Sequence, residues 1–111
     1  MLKEERILCL GMYIGEPLEI PFPAKPTYRR TVTDPKTGEK VEHIYRVCNG
    51  KNKKTCGYWE NVKTKKKMPS SKTVYNKQKK LLIIQKFRPS DRGTYGAGKS
   101  KKQMYAVFLW D

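Results

Sequence analysis

Residues 81–97 read Leu-Leu-Ile-Ile-Gln-Lys-Phe-Arg-Pro-Ser-Asp-Arg-Gly-Thr-Tyr-Gly-Ala, and this stretch decides the fold of the chain. Its first four residues are apolar and partly β-branched, which favours a strand. Asp91 and Gly93 then predict a tight corner, because glycine tolerates a positive φ and an aspartate side chain accepts backbone N–H bonds. The stretch therefore predicts two short strands joined by a corner, with Tyr95 at the start of the second strand.

The segments on either side also read as short strands, separated by glycine and proline. No segment keeps a helical period for three turns, and 111 residues have room for one domain with a modest core. The strand-like segments are residues 7–14, 15–22, 41–47, 58–62, 68–74, 80–87 and 103–110. This spacing predicts an all-β fold of seven to nine strands in a single domain spanning residues 1–111, either a sandwich or a barrel.

Three groups of residues resemble immunoglobulin-like domains. They are the strand residues Leu82, Ile84 and Phe87, the corner residues Pro89, Ser90, Asp91, Gly93 and Tyr95, and the alternating Gly15, Glu16, Leu18, Ile20 and Phe22. The resemblance implies an immunoglobulin-like β-sandwich of the I-set or V-set kind, with antiparallel strands. It also implies that Asp91, Gly93 and Tyr95 form a tyrosine corner, which is a stability device rather than an active site.

The chain departs from that family at the inter-sheet disulfide. The resemblance places Phe22 and Ala97 at the two positions where the family has its core cysteines. A large phenylalanine opposite a small alanine conserves volume, so Phe22 can fill the space of the bridge. Losing such a crosslink costs roughly 2–4 kcal/mol, which the core or another bridge must supply.

Two interpretations remain open for the strand that carries the core aromatic residue. In the preferred one, residues 41–47 form that strand after a long connection, with Tyr45 or Ile44 facing inward. In the other, Trp59 supplies the aromatic ring and Cys48 belongs to the strand before it.

Three cysteines leave at least one thiol outside any intramolecular disulfide. Cys48 and Cys56 can bridge if residues 49–55 form one long hairpin loop, whereas a two-residue turn at Asn49-Gly50 leaves them too far apart. Both alternatives stay open, and Cys9 is predicted to lie inside the first strand as a small hydrophobe.

No feature of the sequence predicts catalysis, a metal or a cofactor. His43, Cys48 and Cys56 lack a clear fourth zinc ligand, and their spacing matches no familiar zinc site. The single histidine has no recognisable nucleophile and orienting residue, and no glycine-rich phosphate loop precedes a helix. We therefore predict a protein that is not an enzyme.

Charge is the strongest indication of function. The chain has 25 Lys and Arg residues against 10 Asp and Glu, a net charge of +15. In the family that the chain resembles, three connections lie at one end of the sandwich. They would gather the candidate anion-binding residues Arg29, Arg30, Lys77, Lys79, Lys80, Lys99, Lys101 and Lys102, and the lysines at 65–67 would join them. Such a cluster attracts a sulfated glycan or another polyanion.

The resemblance and the charge lead to three functional hypotheses. The first is a recognition or adhesion module that binds another protein through loops or an exposed sheet face, with Tyr105 and Val107 as candidate contact residues. The second is polyanion binding, and the third is an intracellular structural domain. No apolar run is long enough for membrane insertion. The charged N-terminus fits a cytosolic chain or an extracellular or cell-surface fragment, and we favour the fragment.

Overall fold

A computed structural model describes residues 6–34, 36–99 and 103–110. These residues contain nine strands and one short 3-10 turn, and no α-helix. The strands are β1 (Arg6–Met12), β2 (Leu18–Pro21), β3 (Thr27–Thr33), β4 (Lys40–Arg46), β5 (Trp59–Asn61), β6 (Thr73–Asn76), β7 (Leu81–Ile84), β8 (Gly93–Ala97) and β9 (Gln103–Leu109); the turn is Pro89–Asp91. The prediction of an all-β chain is confirmed.

The strands form two sheets that pack face to face as a β-sandwich. One sheet has six strands in the order β1-β9-β8-β3-β4-β5, and the other has three in the order β2-β7-β6. All pairings are antiparallel except that of β1 with β9, which is parallel. The core between the sheets is built mainly from Leu18, Ile20, Phe22, Tyr28, Tyr45, Trp59, Leu82, Ile84, Phe87, Tyr95, Ala97, Tyr105 and Val107.

Alternation along each strand decides which side chains enter this core. In β7, Leu82 and Ile84 are fully buried, while their neighbours are half-buried. In β3 the inward positions are Tyr28, Arg30 and Val32. Because the side chains of a strand point alternately to its two faces, the charged Arg30 is carried into the interior by the register of its apolar neighbours.

The long connection predicted after the strand of residues 15–22 was wrong, because it contains a strand of its own, whereas Tyr45 and Trp59 both belong to the core. The strand that follows β2 is β3, which the sequence analysis treated as a connection, and its buried aromatic is Tyr28. β4 lies one strand further out, with Tyr45 buried and Ile44 on the outer face, and Trp59 lies in the edge strand β5. The pattern was hard to see because a charged arginine occupies an inward position of β3.

Phe22 and Ala97 are both buried in the core. The ring of Phe22 stacks on Tyr28 at 5.5 Å between centroids and meets Tyr105 edge-on at 5.2 Å. Tyr28 is the register partner of Ala97 in the neighbouring strand. The volume at this point of the core is therefore filled by a group of aromatic rings around a small alanine.

The corner before β8 is held by short-range hydrogen bonds. The Tyr95 hydroxyl donates to the Asp91 carbonyl oxygen at 2.6 Å, and the Arg88 N–H donates to the Asp91 carboxylate at 3.0 Å. Gly93 is required here by close packing, because a Cβ at this position would lie 2.1 Å from the Thr31 carbonyl oxygen. These contacts fix the start of β8 against β3.

Candidate functional site

Four connections meet at one end of the sandwich, where β2, β4, β6 and β8 end. They are residues 22–26, 47–58, 77–80 and 98–102, of which the structure describes all but 100–102. Backbone hydrogen bonds link these connections to one another, from Phe22 N–H to Lys80 O (3.2 Å) and from Val47 N–H to Pro26 O (3.0 Å), and a third joins Gly98 N–H to Thr27 O at the start of β3 (2.8 Å). This end therefore presents one continuous surface.

That surface is rich in lysine and has no carboxylate in its four connections. We call it the lysine pole, and its described lysines are Lys25, Lys51, Lys53, Lys54, Lys77, Lys79, Lys80 and Lys99, all exposed. Since no loop carboxylate neutralises them, these ammonium groups create a positive potential at one end of the molecule. The arrangement can attract an extended anion.

A disulfide closes the longest connection of the lysine pole. Cys48 and Cys56 are bonded, with 5.0 Å between their Cα atoms. Inside the loop, the Asn49 side chain accepts from the backbone N–H of Lys51 at 2.9 Å, and the Asn52 amide donates to Val47 O at 3.0 Å. The disulfide and these hydrogen bonds restrict the conformations of the loop. Binding a ligand through its three lysines therefore costs less conformational entropy than it would in an unconstrained loop.

Two tyrosine hydroxyls support the connection of residues 22–26 at the same end. Tyr28 donates to Pro23 O at 2.7 Å and accepts from the Lys25 N–H at 3.1 Å. Tyr75 donates to Phe22 O at 2.7 Å. The rings of Tyr28 and Tyr75 stack at 5.2 Å, so the segment that carries Lys25 is anchored directly to the core.

The structure brings together only part of the predicted anion-binding set. Lys77, Lys79, Lys80 and Lys99 lie at the lysine pole, and Lys101 and Lys102 lie outside the described residues. Arg29 lies on the outer face of β3, where it forms an ion pair with Glu42. Lys65 and Lys66 follow β5 and lie towards the opposite end, because β4 and β5 form a hairpin. Lys67 instead pairs with Glu60 of β5, and its ammonium group lies 5.4 Å from the ring of Tyr58 at the edge of the pole. The Cys48–Cys56 loop instead supplies the lysine pole with three lysines that were not in the predicted set.

The placement of Arg30 among solvent-facing basic groups was wrong. Its side chain is fully buried and ion-paired with the fully buried Asp91, with 2.7 Å between Nη1 and Oδ1. Nη1 also donates to the Tyr95 hydroxyl at 3.1 Å, and Nε donates to Nδ1 of His43 at 3.0 Å. The guanidinium lies 4.4 Å from the centre of the Trp59 ring, a favourable cation–π contact. Arg30 is therefore a structural group that ties β3 to the corner.

Burial sets the protonation states around Arg30. Desolvation, with the positive charge of Arg30 nearby, lowers the pKa of His43 to about 4. Desolvation also raises the pKa of Tyr95 to about 12. His43 is therefore neutral near pH 7, and because its Nδ1 accepts a hydrogen bond, its proton is on Nε2.

A second exposed feature lies on the outer face of the six-stranded sheet, along β1 and β9. The choice of Tyr105 and Val107 as contact residues was wrong, since both are buried in the core. The outward residues there include Ile7, Phe108 and Trp110, exposed at 59%, 39% and 49%. Phe108 and Trp110 meet edge-on at 5.0 Å, and the indole lies over Gly11, where a Cβ would be 2.0 Å from the indole nitrogen. We call these three residues the apolar strip.

Two kinds of feature are absent from the described residues. They contain no group of three or more His, Cys, Asp or Glu side chains arranged to hold a metal ion. They also contain no helix of the length and hydropathy needed to cross a membrane. Comparison of the whole chain with family models, curated proteins and solved structures gave no match.

Proposed function

We propose that this chain is a non-enzymatic recognition domain with an immunoglobulin-like fold of the variable type. Variable-type domains add two strands to the sheet that contains the third, sixth and seventh strands of the family. The strand orders β1-β9-β8-β3-β4-β5 and β2-β7-β6 support this relation, as does the hydrogen bond from Tyr95 to the carbonyl of Asp91. The corner stabilises the fold, so recognition is assigned to surfaces elsewhere.

The lysine pole is the proposed ligand-binding surface, and a sulfated glycan is the proposed ligand. The single observation that carries this proposal is the meeting of four lysine-bearing connections without a carboxylate at one end of the sandwich. Lysine is a compact, hydrated point charge that suits the separate sulfate groups of a flexible chain. Binding releases the counterions of the polyanion, so its affinity depends strongly on salt.

The side chains of the pole favour a glycan over a nucleic acid. Sites for single-stranded nucleic acid interleave basic groups with aromatic rings on which the bases stack. Within the four connections the only aromatic residues are Phe22, which is buried, and Tyr58, which is half-buried with Lys67 5.4 Å from its ring. The described part of the pole thus offers charge without an open stacking platform.

A paired substitution tests whether binding is located at the pole. Replacing Lys51, Lys53, Lys54 and Lys79 by alanine should weaken binding of a defined heparin octasaccharide at least about tenfold at 0.15 M NaCl, because each lysine contributes on the order of 1 kcal/mol to an anionic surface. The salt dependence should fall by about one unit of slope per lysine removed. Isothermal titration calorimetry between 0.1 and 0.4 M NaCl measures both quantities.

The matched control removes the same charge elsewhere. Lys63, Lys66, Lys72 and Lys86 are exposed and lie in connections towards the opposite end. Their replacement by alanine should change the affinity for the octasaccharide less than about threefold, since their potential is screened over a Debye length of about 8 Å. Equal losses in the two quadruple variants would contradict the proposal, as would tighter binding of single-stranded DNA of equal charge.

A protein ligand at the apolar strip is the second candidate function, favoured by the exposure of two aromatic rings on a sheet face. The protein ligand to test first is a second copy of the chain. Sedimentation velocity in 0.3 M NaCl, which screens the net charge of +15, should show a sedimentation coefficient that rises with concentration. The double variant Phe108→Ser and Trp110→Ser should lose that rise.

Ile14→Ser is the control for this experiment, because Ile14 is 64% exposed in the connection after β1 and is not part of the strip. This variant should associate like the original chain. A constant sedimentation coefficient in the unsubstituted protein would exclude the second copy as the ligand of the strip.

A further inference from the structure

A cavity of about 330 Å³ lies at the end of the sandwich opposite the lysine pole. Its apolar wall is formed by Val32, Val41, Met68 and Pro69, and it is also lined by Arg30 and His43. Volumes near this value are typical of sites for small molecules, which combine apolar walls with a few polar groups.

Two of the residues that line this cavity each carry a nitrogen atom without a partner among the described residues. These atoms are Nη2 of Arg30 and Nε2 of His43, and both are buried. Arg30 Nη2 carries N–H groups in every protonation state, and His43 Nε2 carries the proton because Nδ1 accepts from Arg30 Nε. Two residues that line one cavity therefore each hold an unused hydrogen-bond donor.

Unused buried donors are costly, and their pairing is a source of binding energy. A buried donor without an acceptor costs about 1–3 kcal/mol. Most buried polar atoms in folded proteins have partners, so two such atoms on residues that line one cavity call for an explanation. An oxygen atom that accepts from both donors would recover this energy, while the apolar wall would hold the rest of the molecule.

The charges around the cavity decide what kind of oxygen fits. The positive charge of Arg30 is already neutralised by Asp91, at 2.7 Å. At the rim, Lys36 is accompanied by Asp34. Because no positive charge is left in excess, an anion would lose its hydration without a full counter-charge. A neutral carbonyl oxygen meets the two donors without that penalty.

We propose that this cavity binds a small, neutral molecule that carries a carbonyl oxygen on a compact apolar body. The carbonyl accepts from Arg30 Nη2 and His43 Nε2, and the apolar body contacts Val32, Val41 and Met68. This site is independent of the lysine pole, and its ligand is of a different chemical class.

Three probes of one shape test the proposal by NMR with the full chain. They are cyclohexanecarboxamide, cyclohexanecarboxylate and cyclohexylmethylammonium, which are neutral, negative and positive. The carboxamide should shift the Nε2–H resonance of His43 and the backbone amides of Val32 and Val41, with a dissociation constant in about the millimolar range. The carboxylate should bind at least about fivefold more weakly, and the ammonium ion should leave these resonances unchanged.

A filled cavity provides the control. Val41→Phe adds volume inside the cavity, and Ile44→Phe introduces the same side chain on the outer face of the same strand. Carboxamide binding should be lost in Val41→Phe and kept in Ile44→Phe, and the dispersion of each amide spectrum shows whether the variant is folded. The proposal is overturned if the carboxamide does not shift the His43 resonance, if Val41→Phe binds it as well as Ile44→Phe does, or if the carboxylate binds more tightly. An ordered water as the sole partner of the two donors would give the first of these results.

Discussion

Replacing Arg30 by alanine is expected to destabilise the folded protein by about 3–5 kcal/mol, because the substitution leaves the Asp91 carboxylate buried without its counter-charge. The same change removes donors to Tyr95 and His43 and the cation contact on Trp59. For a domain of this size such a loss is a large share of the total stability. Urea unfolding, followed by tryptophan fluorescence, measures the difference in free energy of unfolding.

The adjacent residue of β3 is the matched control. Arg29 also forms an ion pair, with Glu42, but on the outer face and partly exposed to solvent. Exposed pairs contribute at most about 1 kcal/mol, so Arg29→Ala should stay within that range. If Arg30→Ala and Arg29→Ala had similar effects, the buried ion pair would not be the link between β3 and the corner.

Acidification from pH 7 to pH 4 is expected to reduce stability by up to about 3 kcal/mol through His43 alone. Its pKa is about 4 in the folded protein, against an ordinary value of 6.5. Between these values the unfolded chain binds the proton and the folded protein does not, so unfolding is favoured as the pH falls. The stabilising contribution of neutral His43 is complete above its unfolded pKa of 6.5, and it is lost as the pH falls from 6.5 to about 4. Urea unfolding at pH 7, 5.5 and 4 checks the trend.

Carboxylates also titrate near pH 4, so the contribution of His43 to the pH dependence of stability must be separated from theirs. The variant His43→Gln has no ionisable group at this position, and its side-chain oxygen can still accept from Arg30 Nε. It should lose less stability than the original chain over the same pH range, and the largest difference should fall between pH 6.5 and 4. Parallel pH profiles for the two proteins would contradict the buried, neutral state of His43.

The features that local sequence could predict are those made by neighbouring residues. The corner could be anticipated because Asp91, Gly93 and Tyr95 are close in the chain, and the apolar alternation of β2 and β7 could be read directly. By contrast, β3 was missed because Arg30 breaks its apolar pattern. Its partner Asp91 is 61 residues away, so only the fold shows that the charge is paired.

The location of the lysine pole also could not be predicted from local sequence. The sequence showed clusters of lysines, but which clusters share one end depends on strand pairing. The antiparallel pairing of β4 with β5 makes residues 47–58 one hairpin connection, which brings Cys48 to Cys56 and carries their loop to the pole. A two-residue turn at Asn49-Gly50 would have given a different strand register. Local residue preferences could not decide between that turn and the long hairpin loop.

Titration of the isotope-labelled protein with a heparin octasaccharide at 0.15 M NaCl, followed by amide chemical shifts, tests the central claim most directly. We expect the largest shifts in residues 22–26, 47–58, 77–80 and 98–99, and small shifts in the connections at the opposite end. Shifts spread evenly over the lysines of both ends, or concentrated after β5 in residues 62–72, would contradict the assignment of the lysine pole as the ligand-binding surface.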